Sequence, residues 1–536
     1  MKLNKADIAN NKQAYTDLNI ELPAFDRDEV SAETKKNPGW LHFGPGNIFR
    51  AFIASLQQTL LNEGKVNYGI IAVAPNSSEI IDKIYHPHDD LSLLVTMNPD
   101  QTQKRKVIGS IVESLSFIRA NAADWQRLEA IAAAPSLQMI SFTITEKGYK
   151  LRDAEGNYTE AVKQDLAAGP AAAQSFMGKL TALLYHRYTK GQLPLTLISM
   201  DNCSHNGLVL KNSVVEVADT WEEKGLVKAG FGEYVEQKIS YPCTMIDKIT
   251  PRPSHEVQKQ LAADGFEDMD FVKSARGGEY APFVNAEKCE YLVVEDAFAN
   301  GRPPLEDAGV IFTDRETVDK VERMKVCTCL NPLHTALAVY GCLLGYTLIA
   351  DEMKDTELKK LVEKIGLDEG MKTVTDPGVL SPAKFIRECL DVRFPNPAIP
   401  DTPQRIACDT SQKVGIRFGE TIKAYVKSPD LNAADLTYIP LAIAGWRRYL
   451  MGVDDAGKAF EISPDPLLPQ LKEQIGDIVL GEAFDVHAKY ANLLSDAGVF
   501  GSDLYAAGIG EKIEGFIAEL SAGPGAVRNT LKKYLD

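Results

Sequence analysis

Through the first three hundred positions, short apolar runs alternate with stretches of helical spacing. Tyr68–Ala74, Leu91–Met97, Lys106–Val112, Met139–Ile144 and Leu195–Met200 read as strands, and Asp124–Ala134 and Ala171–Arg187 as helices among them. Uninterrupted apolar strands joined by helices predict a parallel, doubly wound α/β sheet, since crossover helices cover both faces. Glu290–Val294 reads as one more strand and runs into Gly301-Arg302-Pro303-Pro304, a turn-rich passage that marks a boundary. From about residue 313 the period is helical throughout, over Asp314–Lys325, Pro332–Ala350, Thr356–Ile365, Pro382–Leu390 and Ala434–Met451. The expected organisation is a polar arm over 1–36, a sheet domain over 37–312 and a mostly α-helical domain over 313–536.

At the head of the sheet domain, Trp40–Phe43 reads as a strand, Gly44-Pro45-Gly46-Asn47-Ile48-Phe49-Arg50 as a turn, and Ala51–Leu61 as a helix. Strand, glycine turn and helix in that order form the Rossmann-like dinucleotide context, where backbone N–H groups and a helix N-terminus receive a pyrophosphate. Phe49 stands where the third glycine of the usual pattern would be, and Arg50 is expected to add a cation beside the phosphates. The second strand ends in Val73-Ala74-Pro75-Asn76, with neither an acid for the ribose 2′-hydroxyl nor an arginine for a 2′-phosphate. Asn76 is the candidate ribose partner. The missing cation favours NAD, with NADP left open.

The helical region opens with Lys325-Val326-Cys327-Thr328-Cys329-Leu330-Asn331-Pro332-Leu333-His334. Lysine in low-dielectric surroundings can exchange a proton near neutral pH, and an amide and an imidazole three residues apart share a helix face that can hold one oxygen. The bland alternative makes Asn331 a helix cap and His334 a satisfied core histidine. Cys327, Cys329 and His334 also invite a zinc reading, but no second pair stands at metal spacing, so no metal is expected.

The glycine turn and the lysine segment together resemble the mannitol dehydrogenase family of polyol-specific long-chain dehydrogenases, whose signatures are G-x-G-x-F-x-R and K-x4-N-x2-H. Thr143–Tyr149, Asp201–Gly207, Met245–Pro251, Gly301–Pro303 and Arg405–Lys413 match family blocks in family order, so the resemblance spans roughly 38–450. It implies a metal-independent dehydrogenase in which Lys325 is the general acid/base and Asn331 and His334 polarise the reacting oxygen. It further implies that Asn202, Asp247, Arg405, Lys413, Glu146 and Glu322 serve the substrate or its proton path. Gly44, Gly46, Asn47, Ile48, Phe49, Arg50, Asn76, Thr145 and Asn202 would serve the cofactor. The wording of the blocks is similar to the hexuronate branch, which implies reduction of fructuronate to mannonate; the alternatives are tagaturonate reduction, a mannitol- or arabinitol-type activity, or a nucleotide-binding redox sensor without turnover. Five residues separate Lys325 from Asn331 where the family has four. Either a bulge at the helix start absorbs the extra residue, or Lys325 stands outside the site.

Composition narrows the partners. A net charge of −16 without a basic block argues against nucleic acid or an anionic membrane and leaves a small sugar acid or polyol. Eight cysteines in 536 residues make no disulfide framework. Residues 1–10 lack an apolar signal core, and Thr335–Ala350 is broken by Gly341 and Gly345 and falls short of a membrane span, so a cytoplasmic location is expected. Oligomeric state is not legible.

Overall fold

The computed structural model describes residues 1–536 other than Arg276 and Asp477. The chain divides into two compact units, one of residues 1–98 and 102–319, the other of 99–101 and 320–536.

In the first unit, six parallel strands form the main sheet: β1 (Trp40–Phe43), β2 (Ile70–Ala74), β3 (Ile111–Ser116), β4 (Met139–Phe142), β5 (Leu195–Ser199) and β6 (Ile239–Ser240). Their spatial order is β3-β2-β1-β4-β5-β6, the dinucleotide-binding order, whose switch point lies at the carboxyl ends of β1 and β4. Alternation along β1 divides the core. Leu41 and Phe43 pack with Val73, Phe142 and the helices Ala122–Ala133 and Phe176–Thr189, whereas Trp40 joins Ile70, Ala72 and Met139 on the opposite face.

Two apolar runs depart from the expected single sheet. Ser92–Met97 and Gln103–Ile108 form an antiparallel hairpin within a separate sheet that also holds Ile20–Glu21 and Phe283–Glu287. The apolar stretch Lys106–Val112 is split at Gly109-Ser110 between that hairpin and β3. The first 36 residues pack on this unit, with Leu3 and Tyr15 buried and Ile20 paired to Arg105.

The second unit is built almost entirely of helices. Helix Arg315–Met324, whose first five residues belong to the first unit, a π-helical turn Lys325–Cys329 and helix Asn331–Leu343 follow one another closely enough that Arg315–Leu343 reaches the length and hydropathy of a membrane span, longer than the sequence suggested. Its apolar window is 83% buried in the protein, as in a core helix. Helix Tyr438–Tyr449 packs on Asn331–Leu343, with the Tyr340 hydroxyl donating to Leu441 O at 2.8 Å.

Candidate functional site

The glycine turn is fixed from below by β1. His42 is fully buried, stacked on Phe49 with ring centroids 4.0 Å apart, and its ring nitrogens meet Ser141 Oγ at 2.7 Å and Thr143 Oγ1 at 2.9 Å. Burial lowers its pKa to about 3, so it is a neutral brace. Gly44 takes φ +108°, and a Cβ there would stand 2.1 Å from Thr143 O, so only glycine fits. Gly46 is the opposite case: nothing lies within 4 Å of where its Cβ would be. That open face at a strand–helix junction is what a close-approaching pyrophosphate requires.

Arg50 corrects the sequence expectation. Its guanidinium is buried and donates to Ala281 O at 2.8 Å and Asn47 Oδ1 at 3.1 Å, so it props the turn from behind instead of standing beside phosphates. Phe49 is likewise buried, while Asn47 reaches Pro251 O at 3.1 Å and Ile48 is half-buried.

A cavity of about 370 Å³ includes Asn76, Ile144, Thr145, Lys147 and Ser175 in its lining. Lys147, expected from the sequence as a cation for the substrate carboxylate, lines it together with Lys150, both carried by the segment after β4. Thr145 has φ +66°, uncommon for a residue with a side chain, and is held there by Asp201. The Asp201 carboxylate accepts Ile144 N at 2.9 Å, Thr145 N at 3.0 Å and the Tyr149 hydroxyl at 2.6 Å. Burial raises its pKa, opposed by those three donors. Asn202 is exposed in the following loop, and Asp247 is buried at the end of strand Thr244–Asp247. Glu146 is exposed and pairs with Lys150 at 2.9 Å.

In the second unit, Lys325 is 1% exposed and opens the π-helical turn, whose defining bond runs from Leu330 N to Lys325 O at 3.1 Å. An i→i+5 turn holds one residue more than an α-helical turn, which is how a chain absorbs a single insertion between two helices. The helix Asn331–Leu343 begins with Leu330 at its cap and no side-chain cap bond, so the Asn331 amide does not serve as a cap.

His334 is almost wholly enclosed, with Nε2 3.0 Å from Asp401 Oδ2. Nε2 is itself buried and faces the Asp401 carboxylate. Burial lowers the His334 pKa against the pull of Asp401, leaving a neutral ring. Asp401 Oδ1 accepts from Arg405 Nε at 3.0 Å, so Arg405 pairs with Asp401 four residues before it. Lys413 is half-buried and donates to Cys408 O, and burial lowers its pKa. Arg417, near both His334 and Lys413, donates to Thr335 Oγ1, and desolvation lowers its pKa to about 10. Glu322 is half-buried, three residues before Lys325.

Asp401 and Arg417 stand beside His334 and were not among the residues named from the sequence. The i,i+4 spacing of Asp401 to Arg405 was a usable signal; for Arg417 there was none. The Cys327 and Cys329 thiols are buried, which raises their pKa values to about 11 and about 12, and no three His, Cys, Asp or Glu side chains converge as metal ligands among the described residues.

Behind this cluster, Glu352 is fully buried, its carboxyl against Gly341, with both oxygens lacking a hydrogen-bond partner among the described residues. Burial and then Asp401 raise its pKa well above the ordinary 4.5. Folding must therefore protonate it, a cost that begins above about pH 4.5 and grows as pH rises toward the folded value. Glu352→Gln, neutral at every pH, is expected to melt higher than the parent at pH 8 and to lose that advantage near pH 5. Equal melting temperatures at pH 8 would mean that Glu352 is not held protonated.

Sequence and structure comparisons agree on the family. The mannitol dehydrogenase Rossmann domain matches residues 38–307 and the mannitol dehydrogenase C-terminal domain residues 317–515. The D-mannonate oxidoreductase of Thermotoga maritima is 50% identical, covering 100% of this chain and 99% of its own. The polyol:NADP oxidoreductase of Gluconobacter oxydans is 30% identical over 83% of this chain and 85% of its own. Among solved structures, Pseudomonas fluorescens mannitol 2-dehydrogenase, in ternary complex with NAD and D-mannitol, superposes with a TM-score of 0.73 at 27% identity, covering 100% of this chain and 99% of that one. The chain belongs to the mannitol dehydrogenase family.

Proposed function

We propose that this chain is an NAD-dependent hexuronate reductase that interconverts D-fructuronate and D-mannonate without a metal. The observation that carries this reading is the 50% identity, over essentially the full length of both chains, to a D-mannonate oxidoreductase. The chemistry of the side chains supports it.

The open face of Gly46 and the N–H groups of Asn47 and Ile48 that follow it suit a pyrophosphate, and Asn76 and Thr145 suit the ribose and nicotinamide ends. Bound nicotinamide supplies the hydride. The proton falls to the protein. Lys325 Nζ gives it to the carbonyl oxygen as the hydride arrives at carbon, and takes it back in the reverse direction. The Asn331 amide and the His334 imidazole polarise the same oxygen as negative charge develops there, with the Asp401 carboxylate 3.0 Å from Nε2 orienting the ring. Arg405, Lys413 and Arg417 supply cations for a sugar-acid carboxylate. Glu322 serves the proton path, and Asn202 and Asp247 the substrate side. Glu146, exposed and paired with Lys150, has the weakest claim to a role.

The test is oxidation of D-mannonate followed by the growth of NADH absorbance, with and without EDTA. Turnover is expected in both. Loss of turnover with EDTA and recovery with zinc would transfer the chemistry to a metal.

A further inference from the structure

Helix Tyr438–Tyr449 carries two adjacent buried arginines that the fold treats differently. Arg448 is satisfied by backbone, donating to Leu520 O at 3.1 Å, Val453 O and Asp454 O. Arg447 is 0% exposed, and its Nε, Nη1 and Nη2 all lack hydrogen-bond partners among the described residues. The guanidinium lies 5.2 Å from the centre of the Trp446 ring and 4.9 Å from that of Tyr490. The Trp446 Nε1 and the Tyr490 hydroxyl are also buried without partners. Three neighbouring side chains thus present five unused polar atoms, four of them obligate donors.

We propose that Arg447, Trp446 and Tyr490 form an internal binding site for a small inorganic anion of the chloride type. Aromatic faces offset part of the buried positive charge, but they accept no N–H bond in the ring plane. The ionisable neighbour of Arg447 is Tyr490, whose phenol burial keeps neutral, and no carboxylate pairs with the guanidinium among the described residues. Water could accept the hydrogen bonds but would leave the charge uncompensated. A monatomic anion answers both needs. Phosphate or a sugar acid would bring further oxygens needing donors that the flanking Phe484 and Phe500 do not have. Because this helix packs on Asn331–Leu343 through Tyr340, the bound ion stabilises the scaffold behind the Asn331 and His334 face without touching the substrate.

The experiment is thermal unfolding of the full chain at constant ionic strength, with chloride exchanged stepwise for methanesulfonate, on the parent and on Arg447→Met. An ion bound only by the folded state raises the melting temperature with the logarithm of its concentration once above its dissociation constant. The parent is expected to gain several degrees from chloride and bromide. Arg447→Met is expected to lose that response while keeping NADH binding and turnover. Bromide-soaked crystals of the parent should show an anomalous peak within hydrogen-bond reach of the Arg447 guanidinium, a readout that holds even if the variant fails to fold. The same chloride response in parent and variant would overturn the proposal, as would a guanidinium surrounded only by water.

Discussion

Lys325→Ala is expected to lower turnover by roughly 10²- to 10⁴-fold, the usual contribution of a positioned general acid/base. NADH affinity should change little, because the glycine turn belongs to a different part of the chain. The structural reason to assign the proton to this residue, despite its displaced spacing, is the π-helical turn Lys325–Cys329. A π-helical turn holds one residue more than an α-helical one, the length by which this sequence exceeds the family pattern before the helix Asn331–Leu343. Burial of the lysine at 1% exposure is consistent with a reacting group shielded from water. His334→Ala should also slow the chemical step, since it removes a donor to the oxygen on which charge develops. If Lys325→Ala kept near-parental turnover with an unchanged pH profile, the proton would have to come from another group.

Gly46→Val is expected to weaken NADH binding while leaving the protein folded. Within the protein a side chain at 46 meets nothing within 4 Å, so the substitution costs the fold little. A pyrophosphate closing on the turn would collide with it, at about 1–3 kcal/mol for an overpacked contact, or roughly 5- to 150-fold in affinity. Fluorescence titration with NADH reads this directly, and a melting curve confirms folding. Unchanged affinity would make the turn purely structural. Gly44 offers no such separation, because its positive φ and the 2.1 Å approach to Thr143 O make any substitution there a folding defect first.

Much of the first unit was legible in the sequence because a buried parallel strand leaves an apolar run and a glycine turn leaves a pattern. β1, β2, β4 and β5 stand where those runs predict them. Ser92–Met97 carries the same signal yet belongs to another sheet, since its parallel partner Phe283–Glu287 lies far along the chain and nothing local records that pairing. Arg50 looked like a phosphate cation because its place beside the turn is visible in sequence, whereas the direction of its side chain, toward Ala281 O, is decided by packing. Lys147 was a candidate cation for the sugar-acid carboxylate, yet it lines the Asn76 cavity, which it reaches from a different strand end. In the helical unit, Lys325, Asn331 and His334 were found as a local motif. Asp401 and Arg417 were not, because each meets the His334 region only through the tertiary fold.

The central claim is that this side-chain set acts on a sugar acid. Its most direct test compares kcat/KM for NADH-dependent reduction of D-fructuronate, D-tagaturonate and D-fructose by the same preparation. The highest value is expected for D-fructuronate, with fructose well below both hexuronates because it offers no carboxylate to Arg405, Lys413 and Arg417. Fructose reduced as efficiently as fructuronate, or neither hexuronate reduced at all, would contradict it.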